Sequence, residues 1–433
     1  MNAVKSIVVG MLCLASAASF GKNIYVALGG SDEGAGTEAE PYASIEKAVT
    51  SADAGDVVVV GEGKFPLADT LYLNQAIVIR GAGSGKTTLQ HKTTQDSRAV
   101  VLECADAAIE DCTITGGYLN MERGKNTDAY ATNLGGAGVL IKAAGGRLSR
   151  CRITANKSNG NWNTSGGMVC VSSKAVVEHC TIDNNTTGGS AGTYAGVYVT
   201  AGTFDRCLIY ANGGHSAGGV YVAGAATFSY CTIAKNSGFG ICLAASGAKF
   251  LNCVIAGNLS SSMAEGAPEY TGSSSADFTG TAFPKDVVLK PAVITGEPLS
   301  CAVIFNDAAN NDFTHRLASQ AKDCGCYAPY DYSVFSCDCT VSVEGLFVGE
   351  PVALIPYVTG YDEGDVLAYT WTVTCPDGTE KTLTEESPAY EPEQKGWHDV
   401  SLSVSRGKGE PATFVLPHAF VATPRSPLMP TEP

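Results

Sequence analysis

The chain has 433 residues, of which 45% are apolar and 16% charged, with 50 glycines and a formal net charge of −15. That length suits two or three domains, and the composition excludes a disordered tail or a coiled coil. The acidic balance excludes the basic footprint that nucleic-acid binding needs.

Taken in chain order, residues 1–21 read as a secretory signal: Lys5, the apolar run 7–15, then small residues at Ala15, Ser16, Ala17 and Ala18. The run falls short of the roughly 20 apolar residues of a membrane span, and no later segment reaches that length. The expected localisation is secreted or cell surface, periplasmic or extracellular in a bacterial setting. Further on, Gly81 to Thr88 resembles a phosphate-binding loop, but Arg80 stands where the motif needs its first Gly. A Gly-rich turn after the strand 76–80 is the expected reading.

An internal repeat decides the architecture. Cys112-Thr-Ile114, Cys151-Arg-Ile153, Cys180-Thr-Ile182, Cys207-Leu-Ile209, Cys231-Thr-Ile233 and Cys253-Val-Ile255 share one pattern. An apolar residue precedes each Cys by three positions: Ile109, Leu148, Val177, Phe204, Phe228 and Phe250. Asn follows by five positions at Asn156, Asn185, Asn212, Asn236 and Asn258, with Gly117 in the first copy. A second strand opens at Gly138, Gly167, Gly196, Gly219 and Gly240. The Cys-to-Cys spacing shrinks from 39 to 29, 27, 24 and 22 residues, so loops shorten while strands persist.

Short β-branched, alternating segments at this period predict stacked rungs of a solenoid, with identical residues about 4.8 Å apart. Cys then fills a narrow apolar column as a free thiol ladder, because that stacking exceeds the usual Cβ separation of a disulfide. Asn forms a second ladder at the turn.

This repeat resembles the right-handed parallel β-helix of the pectate-lyase-like superfold. Tyr25-Val26, Gly30-Ser31-Asp32, Gly36-Thr37, Pro41-Tyr42, Ile45, Ala48-Val49 and Gly55-Asp56-Val57 resemble the entry motif of secreted bacterial β-helix proteins. The resemblance implies a strand and a short helix over 44–52 capping the first rung, with Ile45, Ala48 and Val49 inward. It implies the fold for about residues 23–330 but no single activity, since the superfold hosts lyases, hydrolases, adhesins and structural proteins.

Residues 259–300 lose the repeat and are expected as an irregular loop or a degraded final rung. Asp323-Cys324-Gly325 resembles the closing segment of such β-helix proteins. From Cys337 the pattern changes to isolated strands at 352–357, 369–374 and 398–404, a turn at Pro376-Asp377-Gly378 and a core Trp371. This stretch is similar to PKD-type immunoglobulin-like domains, although the usual Trp-x-Phe-Gly-Asp-Gly stretch is missing. The expected organisation is signal 1–21, β-helix 22–336, Ig-like β-sandwich 337–423 and a Pro-rich tail 424–433. The fold class is all-β.

Cys324-x-Cys326 and Cys337-x-Cys339 suit a zinc site or, as an oxidising compartment favours, disulfides, with Cys301 and Cys375 as further partners. Alternation points the residues around each ladder Cys outward. Stacking then gathers Arg150, Arg152, His179, Asp183, Arg206 and Tyr210 into a basic and aromatic face, the expected substrate-binding set. Cross-rung pairing of Arg206 with Asp183 or Asp205 is the alternative for the same residues. If the face is catalytic, His179, Arg206 and Asp183 are the candidates, and Asp183 with Asp205 would hold Ca²⁺. A polysaccharide lyase fits better than a hydrolase, whose two facing carboxyls have no counterpart here. Tyr198 and Tyr221 share an outward column, either a sugar-stacking pair or, as expected, aromatics packed under a long loop. The expected function is an exported β-helix protein that binds, with cleavage left open, an acidic extracellular polysaccharide. The alternative is a non-enzymatic surface adhesion or structural protein.

Overall fold

The computed structural model describes residues 21–92, 96–120, 135–159, 164–188, 193–258, 269–285, 287, 293–407 and 409–424. The expected signal, apart from its last residue, and all but the first residue of the tail lie outside these residues.

The described residues of 23–301 form a right-handed parallel β-helix with three main faces. The first face stacks Asn23–Val26, Val57–Val60, Val78–Arg80, Ala108–Glu110 and Arg147–Ser149. It continues through the far ends of Met168–Glu178 and Val197–Asp205 to Ala226–Ser229 and Ala248–Leu251. The second is a ten-stranded parallel sheet from Gly63–Pro66 to Leu299–Cys301 and carries every Cys-x-Ile strand. The third runs from Leu71–Leu73 through Val139–Ile141 to Tyr270–Gly272.

Identical side chains meet because the register is exact in sequence terms: Ile114, Ile153, Ile182, Ile209, Ile233 and Ile255 pair rung to rung and are fully buried. Phe204, Phe228, Phe250 and Phe278 stack with centroids 4.6, 4.8 and 5.2 Å apart. Each such side chain contributes about 1.5–3 kcal/mol by leaving water. The six repeat cysteines are buried free thiols in the same core.

The entry helix is Ile45–Ser51, with the Ser44 hydroxyl accepting the Lys47 amide as N-cap. Ile45 and Ala48 enter the core and Val49 packs against it. The expected Gly-rich turn after the strand 76–80 lies between the first and second faces. Lys86 donates back to the Gly83 carbonyl, and its ammonium pairs with Glu62 at 2.8 Å.

Of the two expectations for 259–300, the degraded rung and not the irregular loop fits the described residues. In their described part, Tyr270–Gly272, Ala276–Asp277, Ala282–Pro284 and Ile294–Thr295 add to the rungs below them. Their sequence lacks Cys and Asn at the repeat positions, so pattern alone hid them. Backbone hydrogen bonding and the apolar side chains Tyr270, Phe278 and Phe283 carry the solenoid onward.

The C-terminal part has a three-stranded sheet (Ser336–Val341, Val352–Thr359, Ala389–Tyr390) facing a five-stranded one (Gly345–Phe347, Ala412–Thr423, Gly396–Arg406, Leu367–Thr374, Glu380–Leu383). Trp371 is fully buried between them and donates its indole N–H to the Glu385 carbonyl at 3.0 Å.

The expected disulfides are absent: Cys301, Cys324, Cys326, Cys337, Cys339 and Cys375 are all free. The two members of Cys324-x-Cys326 enter different packing clusters. Cys337 and Cys339 lie on one strand and both enter the sandwich core. The four thiols therefore do not converge. Among the described residues no cluster of three or more His, Cys, Asp or Glu side chains can hold a metal ion, neither zinc at these thiols nor Ca²⁺ at Asp183 and Asp205.

Candidate functional site

The residues preceding each ladder Cys sit at a sharp corner between the first and second faces. Asp111, Arg150, His179, Arg206, Tyr230 and Asn252 all have left-handed backbone, with φ from 49 to 57°. Strand alternation does not place them, because the chain turns at this point. A second left-handed corner follows each Cys-x-Ile strand, at Ala155, Asn184, Ala211 and Lys235, with Gly116 and Gly257 in the outer copies. Two such corners hold each three-residue strand between them.

At the second corner the Asn ladder forms. Each side-chain amide donates to the next carboxamide oxygen at 2.9–3.0 Å, from Asn156 through Asn185, Asn212 and Asn236 to Asn258. Gly117, lacking the side chain, joins with its backbone N–H at 2.9 Å to Asn156. The buried carboxylate of Glu269 ends the row and accepts the Gly257 and Asn258 amides.

At the first corner the candidate residues come together as paired ions. Arg150 grips Asp111 with two bonds of 2.8 Å and donates to Ser149 at 2.9 Å. Arg147 bridges Glu110 at 2.9 Å and Glu178, while Arg80 reaches Glu110 at 3.0 Å. Burial raises the Glu178 carboxyl, and its bonds from Arg147 and Ser149 outweigh this, so its pKa ends lowered. Arg152 holds Asp183, which is fully buried, with bonds of 2.8 and 2.6 Å. That contact raises the Arg152 pKa.

The expected open basic and aromatic face is therefore corrected in three places. Asp183 is taken by Arg152 and is free neither as a base nor as a Ca²⁺ ligand. Tyr210 is buried beneath Phe313, with centroids 5.2 Å apart, and burial followed by the nearby Asp183 charge raises its pKa. Arg206 donates to the Ala328 carbonyl and stacks on Tyr230 at 4.7 Å, with Asp205 at 4.0 Å. The cause of the last two is a strap over 302–332 that returns across the second face. Its anchors include Lys235 on the Ala308 and Ala309 carbonyls and the Cys326 amide on Thr232. At this corner His179 and Arg150 stand exposed.

On the third face the outward column reads Val101, Leu140, Val169, Tyr198 and Tyr221. Tyr198 is nearly buried and stacks on Tyr221 at 5.3 Å, and Tyr194 stacks on Tyr221 at 3.6 Å. Packing is what this column does, as expected for its aromatic pair.

The Arg80–Glu110–Arg147–Glu178 network was not anticipated. Its signal lies two residues before each Cys, where Glu110, Ser149, Glu178 and Asp205 recur. A second feature missing from the sequence reading is Trp397, half-exposed beside a cleft of about 590 Å³ between the strap and the sandwich.

The family described as right-handed β-helix region matches residues 73–283. Among solved structures, pectate lyase Pel9A is 11% identical, with a TM-score of 0.44, covering 65% of this chain and 78% of that one. A pectin methylesterase in complex with hexasaccharide VII is 10% identical, with a TM-score of 0.35, covering 72% and 98%. ORF18 of Geobacillus virus E2 is 13% identical, with a TM-score of 0.36, covering 94% and 80%. No curated protein matches the sequence. Among the described residues no helix is long and apolar enough to cross a membrane.

Proposed function

We propose that this chain is an exported, glycan-directed β-helix protein that binds an acidic polysaccharide at the first corner and does not cleave it. The carrying observation is that Glu110, Asp111, Glu178 and Asp183 are each held by an arginine. A carboxylate so held is a poor base, which removes the free facing carboxyls of a hydrolase and the Asp183 candidate of a lyase. The same arginines keep donors for a ligand: Arg150 and Arg152 are paired, yet their side chains stay 49% and 44% exposed. A guanidinium has five N–H groups, and Arg152 spends two on Asp183, which leaves a fork for a ligand carboxylate or sulfate. The signal read over 1–21 supports export, and the two-sheet C-terminal part is read as a PKD/Ig-like module of the same protein.

The test is retention of the chain on immobilised polygalacturonate and dextran sulfate, with product analysis in the presence and absence of Ca²⁺. The expected result is salt-sensitive retention, lost in the Arg150→Ala plus Arg206→Ala variant, and no new chain ends. Unsaturated or saturated ends overturn the non-catalytic reading. A second reading, a rigid adhesion or structural spacer, is favoured by the mutual neutralisation of the corner ions, and it takes over if the wild type is not retained.

A further inference from the structure

The strongest unassigned feature lies at the other end of the molecule. In the sandwich, the strand Gly396–Arg406 alternates, with His398 fully buried and its neighbour Trp397 52% exposed. Opposite it the pairing slips: His398 faces Phe420, whereas Val400 faces Leu416, so the partner strand bulges over 417–419. His418 sits in this bulge with φ of 49°, a left-handed conformation that costs a non-glycine residue about 1–2 kcal/mol. The Asp399 carboxylate holds the bulge by accepting the His418 backbone amide at 2.7 Å. The result sets the His418 ring edge-on to the Trp397 indole, with centroids 5.5 Å apart. Bulges of this kind re-aim side chains and concentrate next to functional sites.

The aromatic pair borders the cleft, which Tyr357 and Glu344 also line from the sandwich and Lys285 and Gln320 from the solenoid side. Its floor is fixed by the contact that joins the two parts. Arg316 lies over Phe414 at 4.6 Å and donates to both oxygens of the buried Asp338 at 3.2 Å, and Asp338 also accepts the Ala318 amide at 3.0 Å. The cleft is thus preorganised, and its volume lies within the range of small-ligand sites.

We propose that this cleft is a saccharide-binding subsite, with the Trp397 indole as the stacking platform for a pyranose ring. A pyranose presents an apolar C–H face and a rim of hydroxyls. The half-exposed indole matches the face. Gln320, Glu344 and Lys285 supply acceptors and donors for the rim. The ligand class rests on the glycan-directed reading above, but the residues are separate from the corner arginines.

Acrylamide quenching of tryptophan fluorescence in the full chain tests it, with cellohexaose and hexagalacturonate as probes. Trp371 is buried and contributes a constant background, and a Trp162→Phe background removes the remaining tryptophan. The expected result is saturable protection by at least one probe, weakened severalfold in Gln320→Ala, and an affinity weakened at least tenfold in Trp397→Ala when read by isothermal titration calorimetry, with circular dichroism unchanged. The Arg150→Ala plus Arg206→Ala variant should keep this protection while losing retention on polygalacturonate, so the two sites fail separately. No protection in the wild type by either probe, or undiminished calorimetric affinity in Trp397→Ala, overturns the proposal.

Discussion

Asn258 donates its side-chain amide to the Glu269 carboxylate at 2.8 Å, and this contact ends a row of buried amides that begins at Asn156. The row needs a terminal acceptor, and a buried Glu with three N–H donors around it supplies one.

Truncating the middle of that row should cost more than softening its end. Asn212→Ala strips the Asn185 backbone amide and side-chain amide of their shared acceptor, now at 3.1 and 3.0 Å. Buried donors left alone cost about 1–3 kcal/mol each, so a loss of about 3 kcal/mol is expected in chemical denaturation. Glu269→Gln keeps one acceptor oxygen and should lose about 1 kcal/mol by the same scale. Equal losses would show that Glu269 does not serve as the terminus.

The ladder thiols should be inert in the native state. Burial is the main cause that raises the Cys112, Cys180, Cys207 and Cys231 pKa values well above the ordinary thiol value. Alkylation at pH 8 followed by peptide mapping should find these four unmodified until the chain unfolds. A raised folded pKa favours the protonated native state. Its stabilisation is complete below the ordinary thiol pKa of about 8.5 and is lost as pH rises above it. Denaturation midpoints should therefore fall from about pH 8.5 upward.

The corner conformation makes a reciprocal prediction. Ala211 and Gly257 occupy equivalent positions, each one residue before a ladder Asn, with φ of 52 and 69°. Ala211→Gly should stabilise by about 0.5–1 kcal/mol, because a left-handed alanine is strained by more than the glycine costs in unfolded-state entropy. Gly257→Ala should destabilise by a similar amount from backbone strain alone, as an added Cβ there meets nothing within 4 Å. Shifts of the same sign would refute the argument.

Arg152 and Asp183 should behave as a coupled pair. Arg152→Ala leaves a fully buried carboxylate without its bidentate partner, at a cost of about 2–3 kcal/mol once the exposure of Arg152 is discounted. Adding Asp183→Asn should recover part of that loss in a double-mutant cycle. Additive losses would mean that the pair contributes nothing.

The solenoid was legible because its core is written in columns. Cys, Ile and Asn recur at fixed offsets, and residues that recur together must stack. Trp371 and the alternating strands around it announced the sandwich in the same way. The corner residues were legible as outward but not as left-handed, since nothing local in Arg150 or His179 signals positive φ. The strap escaped because Phe313 over Tyr210 and Ala328 on Arg206 are contacts between distant segments. Compartment chemistry favoured disulfides, but all six thiols are free, and Cys324 and Cys326 enter different clusters. Trp397 went unnoticed because one exposed aromatic on an alternating strand carries no repeat.

The entry segment has a consequence for self-assembly. The edge of Asn23–Val26 that faces away from the rungs is already spent: the Tyr25 amide donates to Gly36, its carbonyl accepts the Tyr42 amide, and Ile45 and Ala48 plug the end of the core. An open strand edge recruits another strand, and a solenoid with a bare end can recruit a second solenoid. Removing residues 21–52 would expose the Val57–Val60 edge together with an uncovered apolar cross-section. Such a truncated chain is expected to polymerise end to end into filaments, which light scattering and electron microscopy would detect.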